Sequence, residues 1–360
     1  MTPYRFKRIA VKIGSNVLTK KDGTLDLERM SALVNQVSTL QKAGVEIVLV
    51  SSGAVAAGRS EVKTSRKLDS VDQRQLFSAV GQAILINHYC NLFHKNGLTC
   101  GQVLTTKESF NSRGHYLNQK NCMTVMLENG VVPIVNENDT ISVTELMFTD
   151  NDELSGLIAT MMNVEALIIL SNIDGIYNGN PNDPEARVIP EIQPNTDLKQ
   201  YISSSKSSFG RGGMLTKSNI ARKVAEEGIA VYIANGKKEN ILPDLLDTDK
   251  EPVCTTFVAN KKASAVKKWI AHSEGFAKGE VHINQGCLEA LLKNDATSLL
   301  PVGITSIEGL FEKGDIVRIF DPTGQQIGVG KAQYGSESAR DVIGKKGEKP
   351  LIHYDYLYLD

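Results

Sequence analysis

The sequence predicts an α/β protein: a mostly parallel open sheet sandwiched by helices, followed by a small all-β barrel. Three observations predict it. Short β-rich runs alternate with longer helical stretches over about the first 235 residues, a rhythm that implies right-handed βαβ crossovers and a sheet covered on both faces. Gly44, Gly97, Gly130 and Gly228 each stand between a helical stretch and the next strand, where a left-handed helix cap is wanted. Beyond about Asn260 the segments become short, with frequent Gly and Pro, as in small β-domains.

In chain order, the predicted strands are Arg8–Ile13, Val45–Ser51, Thr99–Leu104, Val131–Val135, Ala166–Leu170 and Ile229–Ala234. The helices between them are Glu28–Ala43, Asp72–Phe93, Asn118–Leu127, Leu154–Met162 and Met214–Glu227. In the first of these, Met30, Leu33, Val34, Val37 and Leu40 recur every three or four positions and mark one buried face. Asn178–Pro194 holds four prolines and is too long for an idle connection, so it reads as a binding lid. Asn260–His272 is lysine-rich and reads as a linker helix. GEVHIN, SLLPVGI, GDIVRIFD, QQIGVGKAQY and PLIHYDYLYL then supply the short strands of a barrel of about 80 residues. The expected domains are 1–259 and 275–360, joined by a linker at 260–274.

Composition bounds the function. At 360 residues, 41% hydrophobic and 22% charged, the chain has ordinary globular usage for two domains. Lys plus Arg total 40 against 41 Asp plus Glu, a net charge of -1, which argues against nucleic acid or an anionic membrane as the main partner. No apolar run approaches the length of a membrane span, and Lys12 interrupts the N-terminal apolar run too early for a signal peptide. Cys90, Cys100, Cys122, Cys254 and Cys287 are odd in number and widely spaced, which fits a reducing, cytoplasmic setting.

In an open parallel sheet, ligands bind beyond the carboxyl ends of the strands, at the strand-to-helix turns. Lys12-Ile13-Gly14-Ser15-Asn16 follows the first strand. A lysine near the end of a buried strand costs desolvation unless it meets an anion, and glycine lets backbone N–H groups approach a phosphate. A lysine reaching the surface beside an ordinary turn would read the same way. Ser51-Ser52-Gly53-Ala54-Val55-Ala56-Ala57-Gly58 follows the second strand; its small residues suit either an anion at a helix N-terminus or tight helix packing. Gly53–Ser60 only loosely mimics a Walker A loop, because Arg59 stands in place of its lysine.

Asn136-Glu137-Asn138-Asp139 ends the fourth strand, with its polar groups facing a crevice or solvent. Asp150-Asn151-Asp152 precedes a helix, as ligand-binding residues or an ordinary N-cap. Gly210-Arg211-Gly212-Gly213-Met214-Leu215-Thr216-Lys217 is the most specific signal: a glycine loop opens a helix with a lysine in its first turn. The helix dipole disfavours a cation there unless bound phosphate compensates. Two lysines, glycine turns and clustered acids and amides thus converge on one sheet edge, as phosphoryl transfer requires. G-x-G-x-x-G is missing after the first strand, which disfavours a nicotinamide enzyme. The six histidines form no metal-spaced pair and no G-x-S-x-G elbow occurs, so no protein metal site and no hydrolase triad are expected.

VKIGSNVL, LVSSGAVAAG, PIVNENDT, FTDNDELSG and GRGGMLTK, in this order, resemble the amino-acid kinase family over the first domain. SSGAVAAG and NEND resemble its glutamate-phosphorylating members, over those acting on aspartate, acetylglutamate, carbamate or UMP. SLLPVGITSIEGLFEKGDIVRI resembles the PUA domain attached to many bacterial members. The resemblance implies the amino-acid kinase fold, a PUA barrel, and ATP-dependent phosphorylation of the L-glutamate side-chain carboxylate to glutamyl 5-phosphate, the first step of proline synthesis, with Mg²⁺. By the same resemblance, Lys12 and Lys217 would neutralise the transferring phosphoryl group, and Gly14 and Gly53 would donate backbone N–H groups to it. Asp152 would orient the lysines, while Ser52, Asp139 and Asn151 would hold glutamate with Asn136 nearby. ATP would lie along Ser171-Asn172 and the loop Arg211, Gly212, Gly213, Met214, Leu215, Thr216, Lys217, with Lys12 also on the nucleotide side.

Two residues depart from the family pattern. Ser171-Asn172 stands where threonine then aspartate is commoner, and Arg211 replaces a small residue. The resemblance further implies a homodimer or tetramer and feedback inhibition by proline, with Ser60–Gln73 and the nearby Arg59, Lys63, Arg66 and Lys67 as a flap. A handover of product to glutamyl-phosphate reductase would be useful for so labile an anhydride. PUA domains elsewhere bind structured RNA; here nine Lys and Arg stand against about twelve Asp and Glu in 275–360, a poor start for phosphate-backbone affinity. Lys345, Lys346 and Lys349 form the one local basic cluster in that count. This domain is therefore expected to modulate the kinase or its assembly.

Overall fold

The computed structural model describes residues 4–65, 67–111, 113–142, 151–180, 183–193, 196, 214–260, 277–293 and 297–359. The expected linker, apart from Asn260, lies outside them. The chain divides into two compact units, Met1–Lys262 and Ala263–Asp360.

In the first unit the strands are β1 (Arg8–Ile13), β2 (Glu46–Ser51), β3 (Thr99–Thr105), β4 (Val131–Glu137), β5 (Ala166–Ser171), β6 (Glu191–Ile192), β7 (Ala230–Asn235) and β8 (Cys254–Phe257). They form one sheet in the order β3-β4-β2-β1-β5-β7-β8-β6. From β3 to β7 every pairing is parallel, and β8 runs antiparallel to β7. The helices are α1 (Ser15–Leu18), α2 (Leu27–Lys42), α3 (Ala54–Glu61), α4 (Ser70–Lys95), α5 (Glu108–Asn111), α6 (Arg113–Glu128), α7 (Asn151–Met161), α8 (Met214–Glu226) and α9 (Ile241–Leu246).

Local chemistry sets the helix ends. Asp26 accepts the Arg29 N–H at the start of α2, and Asp69 accepts those of Val71 and Asp72 at the start of α4. That second cap starts α4 two residues before its apolar pattern begins. On one sheet face, alternate residues Ile9, Val11, Ile13, Ile47 and Leu49 form a single core with Leu33 and Val37 of α2, Leu85 and Tyr89 of α4, and Leu242 of α9. The intervening Ala10, Val48 and Ile169 are equally buried, on the face where α7 crosses β1, β2 and β5 and α8 packs on α7 and β7.

The sequence did not signal β6 or β8. The strip read as a lid instead folds back in its described part: Tyr177 bridges Val188, the Asn178 N–H donates to the Arg187 carbonyl at 3.0 Å, and the strip ends as edge strand β6. No helix of the described residues is long and apolar enough to cross a membrane.

The second unit holds β9 (Gly279–Ile283), β10 (Ile304–Gly309), β11 (Ile316–Phe320), β12 (Gln326–Lys331) and β13 (Leu357–Leu359), in the order β10-β9-β11-β12-β13. Only β9 and β11 pair in parallel among these. Its core gathers Val281, Ile283, Val317, Ile319, Leu351 and Ile352. The sheet domain is as expected, and beside its strands it carries two helices that the sequence reading did not include, α10 (Gln285–Lys293) and α11 (Ser336–Asp341). Asn284 caps α10 by accepting the Cys287 N–H at 2.8 Å, and Leu291 is buried in the core.

Candidate active site

Strand register brings the turns together. Lys12 pairs with Val50 on β2 and with Ile169 on β5, and Val50 pairs with Val135 on β4. Asn136 therefore stands level with Ser51, and Ser52 and Ser171 one residue beyond, at the carboxyl edge of the sheet.

Asp152, second residue of α7, is the centre of that edge and is fully buried. One carboxylate oxygen meets the Lys12 ammonium and the other the Lys217 ammonium. Burial pushes its carboxyl pKa up, and the charges and hydrogen bonds of Lys12 and Lys217 override this and hold it at about 2. The lysines arrive from different elements, Lys12 from β1 and Lys217 from the first turn of α8. Gly156 lets α7 and α8 approach: a Cβ there would lie 3.0 Å from Ile220 Cγ2 and 3.1 Å from Val224 Cγ2. Two ammonium groups against one carboxylate leave an excess of positive charge, which suits a phosphate.

Beside this centre runs an amide chain. Asn151 Nδ2 donates to the Ser51 carbonyl at 2.8 Å, to Ser52 Oγ at 3.0 Å and to Asn136 Oδ1 at 3.0 Å. Asn136 Nδ2 in turn donates to Gln82 Oε1 at 2.8 Å. The expected substrate residues Ser52, Asn136 and Asn151 are thus joined directly, and Gln82 of α4 is added to them.

Asp139 lies in a second charged group. The Arg74 guanidinium pairs with it and with Glu137 Oε2, the latter at 2.5 Å, and Ser78 Oγ donates to Asp139 Oδ2 at 2.9 Å. One cation against two nearly buried carboxylates leaves an excess of negative charge. Arg74, Ser78 and Gln82 recur every fourth residue and so line one face of α4 over about 12 Å. Sequence reasoning missed all three, although their spacing, set against Phe77, Gly81, Leu85 and Tyr89, was a readable signal.

The other expected residues fall as follows. The Gly14 N–H, expected at the phosphoryl group, donates to the Leu170 carbonyl at 3.1 Å and extends the sheet. A Cβ at Gly14 would sit 3.1 Å from that carbonyl oxygen, a tight approach to backbone, and in ordinary contact with Lys12 Nζ at 3.8 Å. Gly53 takes φ +108° as it turns β2 into α3, a conformation L side chains rarely adopt. Ser171 is buried at the end of β5 with Asn172 beside it. Two residues on, Asp174 accepts from Asn235 Nδ2 at 3.0 Å and pairs with Lys238 at 3.0 Å, a charged pair the sequence did not flag. Met214, Leu215, Thr216 and Lys217 open α8; Arg211, Gly212 and Gly213 lie outside the described residues. Arg59 sits 5.7 Å over the Phe77 ring, committed to packing between α3 and α4.

Comparison with known proteins identifies the family. Residues 7–235 match the model of the Amino acid kinase family, and residues 279–354 match the PUA domain. The chain is 68% identical over 356 residues to a Bacteroides thetaiotaomicron protein named glutamate 5-kinase, covering 99% of each. It is 51% identical over 360 residues to the glutamate 5-kinase of Chlorobaculum tepidum, covering 98% of each. Carbamate kinase from Giardia lamblia bound to AMP-PNP superposes on 71% of this chain and 99% of its own, with a TM-score of 0.50 at 16% identity, a likeness of fold alone. With a lysine–aspartate–lysine centre at its sheet edge and that family match over 7–235, the chain belongs to the amino acid kinase family.

Proposed function

We propose that this chain transfers the γ-phosphoryl group of ATP to the side-chain carboxylate of L-glutamate, giving L-glutamyl 5-phosphate and ADP, the first step of proline biosynthesis. The observation that carries the reading is a pair of opposite charge centres in a chain 68% identical to a glutamate 5-kinase. Lys12–Asp152–Lys217 is net positive and Arg74–Glu137–Asp139 net negative. Glutamate has the matching polarity, with its side-chain carboxylate toward the first and its α-ammonium toward the second.

The nucleophile needs no general base. A glutamate carboxylate has a pKa of about 4.3 and is already ionised at neutral pH, so an oxygen lone pair attacks the γ-phosphorus and the ADP oxygen leaves with the bonding pair. The obstacle is the approach of two anions, and Lys12 and Lys217 lower it by facing the charge that spreads over the transferring group. Asp152 holds both ammonium groups in place. Because each of its oxygens is given to a lysine, Mg²⁺ is read as arriving on the ATP phosphates, where it neutralises their charge. Proline, an amino acid that shares the ammonium and α-carboxylate, suits the same negative centre as a competitor of glutamate.

The test is ADP release with ATP and Mg²⁺ on glutamate, aspartate, acetylglutamate and UMP, with hydroxylamine present to trap an acyl phosphate. Glutamate-dependent turnover with a hydroxamate product is expected; turnover on another acceptor with none on glutamate would move the chain to a different substrate in its family. A second expectation isolates the negative centre. Arg74→Gln leaves Glu137 and Asp139 to repel each other, so kcat/KM for glutamate should fall about tenfold, mainly through KM, roughly 1.4 kcal/mol of positioning. Arg74→Lys should recover part of it, and a KM change for ATP of the same size would argue against this assignment.

A further inference from the structure

We propose that Cys90 and Cys100 are a thiol pair that closes to a reversible disulfide under peroxide, with Cys90 the attacking and Cys100 the resolving thiol. The two flank the turn from α4 into β3: Cys90 lies in the penultimate turn of the helix, Cys100 is the second residue of the strand, and Gly97 reverses the chain between them with φ +71°. Their sulfurs are 3.5 Å apart, with the Cys100 thiol donating toward Cys90. All five cysteines are free.

Access and protonation divide the roles. Cys90 is exposed and Cys100 is half-buried, so a small oxidant meets Cys90 first. Burial, followed by the hydrogen bond and charge of Cys90, pushes the Cys100 thiol up to about 12; it keeps its proton and points it at its neighbour. The Cys90 thiolate attacks one peroxide oxygen, breaking the O–O bond and releasing hydroxide, which becomes water. The resulting sulfenic acid is attacked by the Cys100 sulfur; the S–S bond forms, the S–OH bond breaks, and the Cys100 proton leaves with the hydroxyl as a second water. Two thiols lose two electrons and one peroxide gains them.

The other cysteines lack this arrangement. Cys254 Sγ has the Thr256 hydroxyl at 3.8 Å. Cys287 is packed beneath Gly303, where a Cβ would come within 2.6 Å of its sulfur, and burial pushes its thiol up to about 11. The crosslink would tie the end of α4 to strand β3, while Arg74, Ser78 and Gln82 lie in the first half of the helix.

The test uses the reduced full chain, a small molar excess of hydrogen peroxide, quenching with N-ethylmaleimide, and peptide mapping. The expected result is a Cys90–Cys100 crosslinked peptide lighter by two hydrogens, reversed by dithiothreitol, with Cys122, Cys254 and Cys287 alkylated and the melting temperature shifted upward. Cys100→Ser should stop at a Cys90 sulfenic acid that dimedone traps, and Cys90→Ser should leave Cys100 alkylated. Alkylation of both thiols after peroxide, over-oxidation of Cys90 beside a free Cys100, or a Cys90 link to a second molecule would each overturn the proposal.

Discussion

Asp152→Asn is expected to abolish turnover, by about a thousandfold or more in kcat, and to destabilise the first unit by roughly 3–5 kcal/mol. Both effects come from one geometry. The carboxylate is fully buried and gives one oxygen to each of two ammonium groups. Asparagine keeps the shape and removes the charge, so the buried Lys12 and the partly buried Lys217 face each other across a neutral amide. A further substitution separates catalysis from folding. Lys217→Met in the Asp152→Asn background removes one of the repelling charges, so the double variant should melt higher than Asp152→Asn while remaining inactive. If it melts lower, the lysines do not repel across this site and the account is wrong.

The pH dependence has a definite sign. The Asp152 carboxyl is held at about 2, below the ordinary aspartate value of 3.8, so between those values the unfolded chain binds more protons than the folded one. Stability from this group is therefore complete above about pH 4 and is lost as pH falls toward 2, a change of about 2 kcal/mol. Denaturant midpoints should show the difference between the wild-type protein and Asp152→Asn narrowing over that range. A constant difference down to pH 2 would mean that the lysines are not what depresses the carboxyl.

How much of this could be read in advance differs between sheet and helices. β1 was legible to the residue, and the central parallel strands to within two, because an aliphatic run between two helical patterns has few other places to go. Lys12, Asp152 and Lys217 were also legible as chemistry at strand and helix ends. Their convergence on Asp152 was implied only by the family resemblance; the residue pattern alone could not give it, since it depends on register between β1, β2 and β5 and on Gly156 drawing α8 onto α7. β8 is four residues, CTTF, with two threonines; its pairing with β7 on one side and β6 on the other makes it a strand. Arg74 was hidden for a different reason. A polar residue near a helix start normally faces water, and nothing local says that Glu137 and Asp139 will stand across from it. In LVSSGAVAAG the sequence left two readings open, a ligand at a helix start or tight helix packing. The packing reading holds at Gly58, which lies against the Phe77 backbone, while Ser52 stands in the amide chain beside the site.

That packing makes Gly81→Ala the second severe substitution. Helix propensity alone would favour alanine by about 1 kcal/mol. Against it, a Cβ at Gly81 would lie 1.8 Å from the Ala54 carbonyl oxygen and 2.4 Å from the Gly58 nitrogen. These are backbone atoms of α3 and cannot rotate aside, so α3 and α4 must separate by about 1.5 Å before ordinary contact is restored. Overpacking of this kind costs about 3 kcal/mol and sometimes more, so the net loss should exceed about 2 kcal/mol, a fall of roughly 5 °C or more in melting temperature. The damage should also reach the site. Gln82, next in the chain, accepts from Asn136 at 2.8 Å, and α3 begins two residues after Ser52. Moving the helices apart therefore stretches the amide chain that joins them, and KM for glutamate should rise more than KM for ATP. Gly97→Ala is the control: its φ is +71° and nothing lies within 4 Å of an added Cβ, so it should cost about 1 kcal/mol of backbone strain and leave both KM values alone. A Gly81→Ala protein that melts with the wild type would show that α3 and α4 are not held at this distance, and that the α4 face carrying Arg74, Ser78 and Gln82 is not fixed by the crossing.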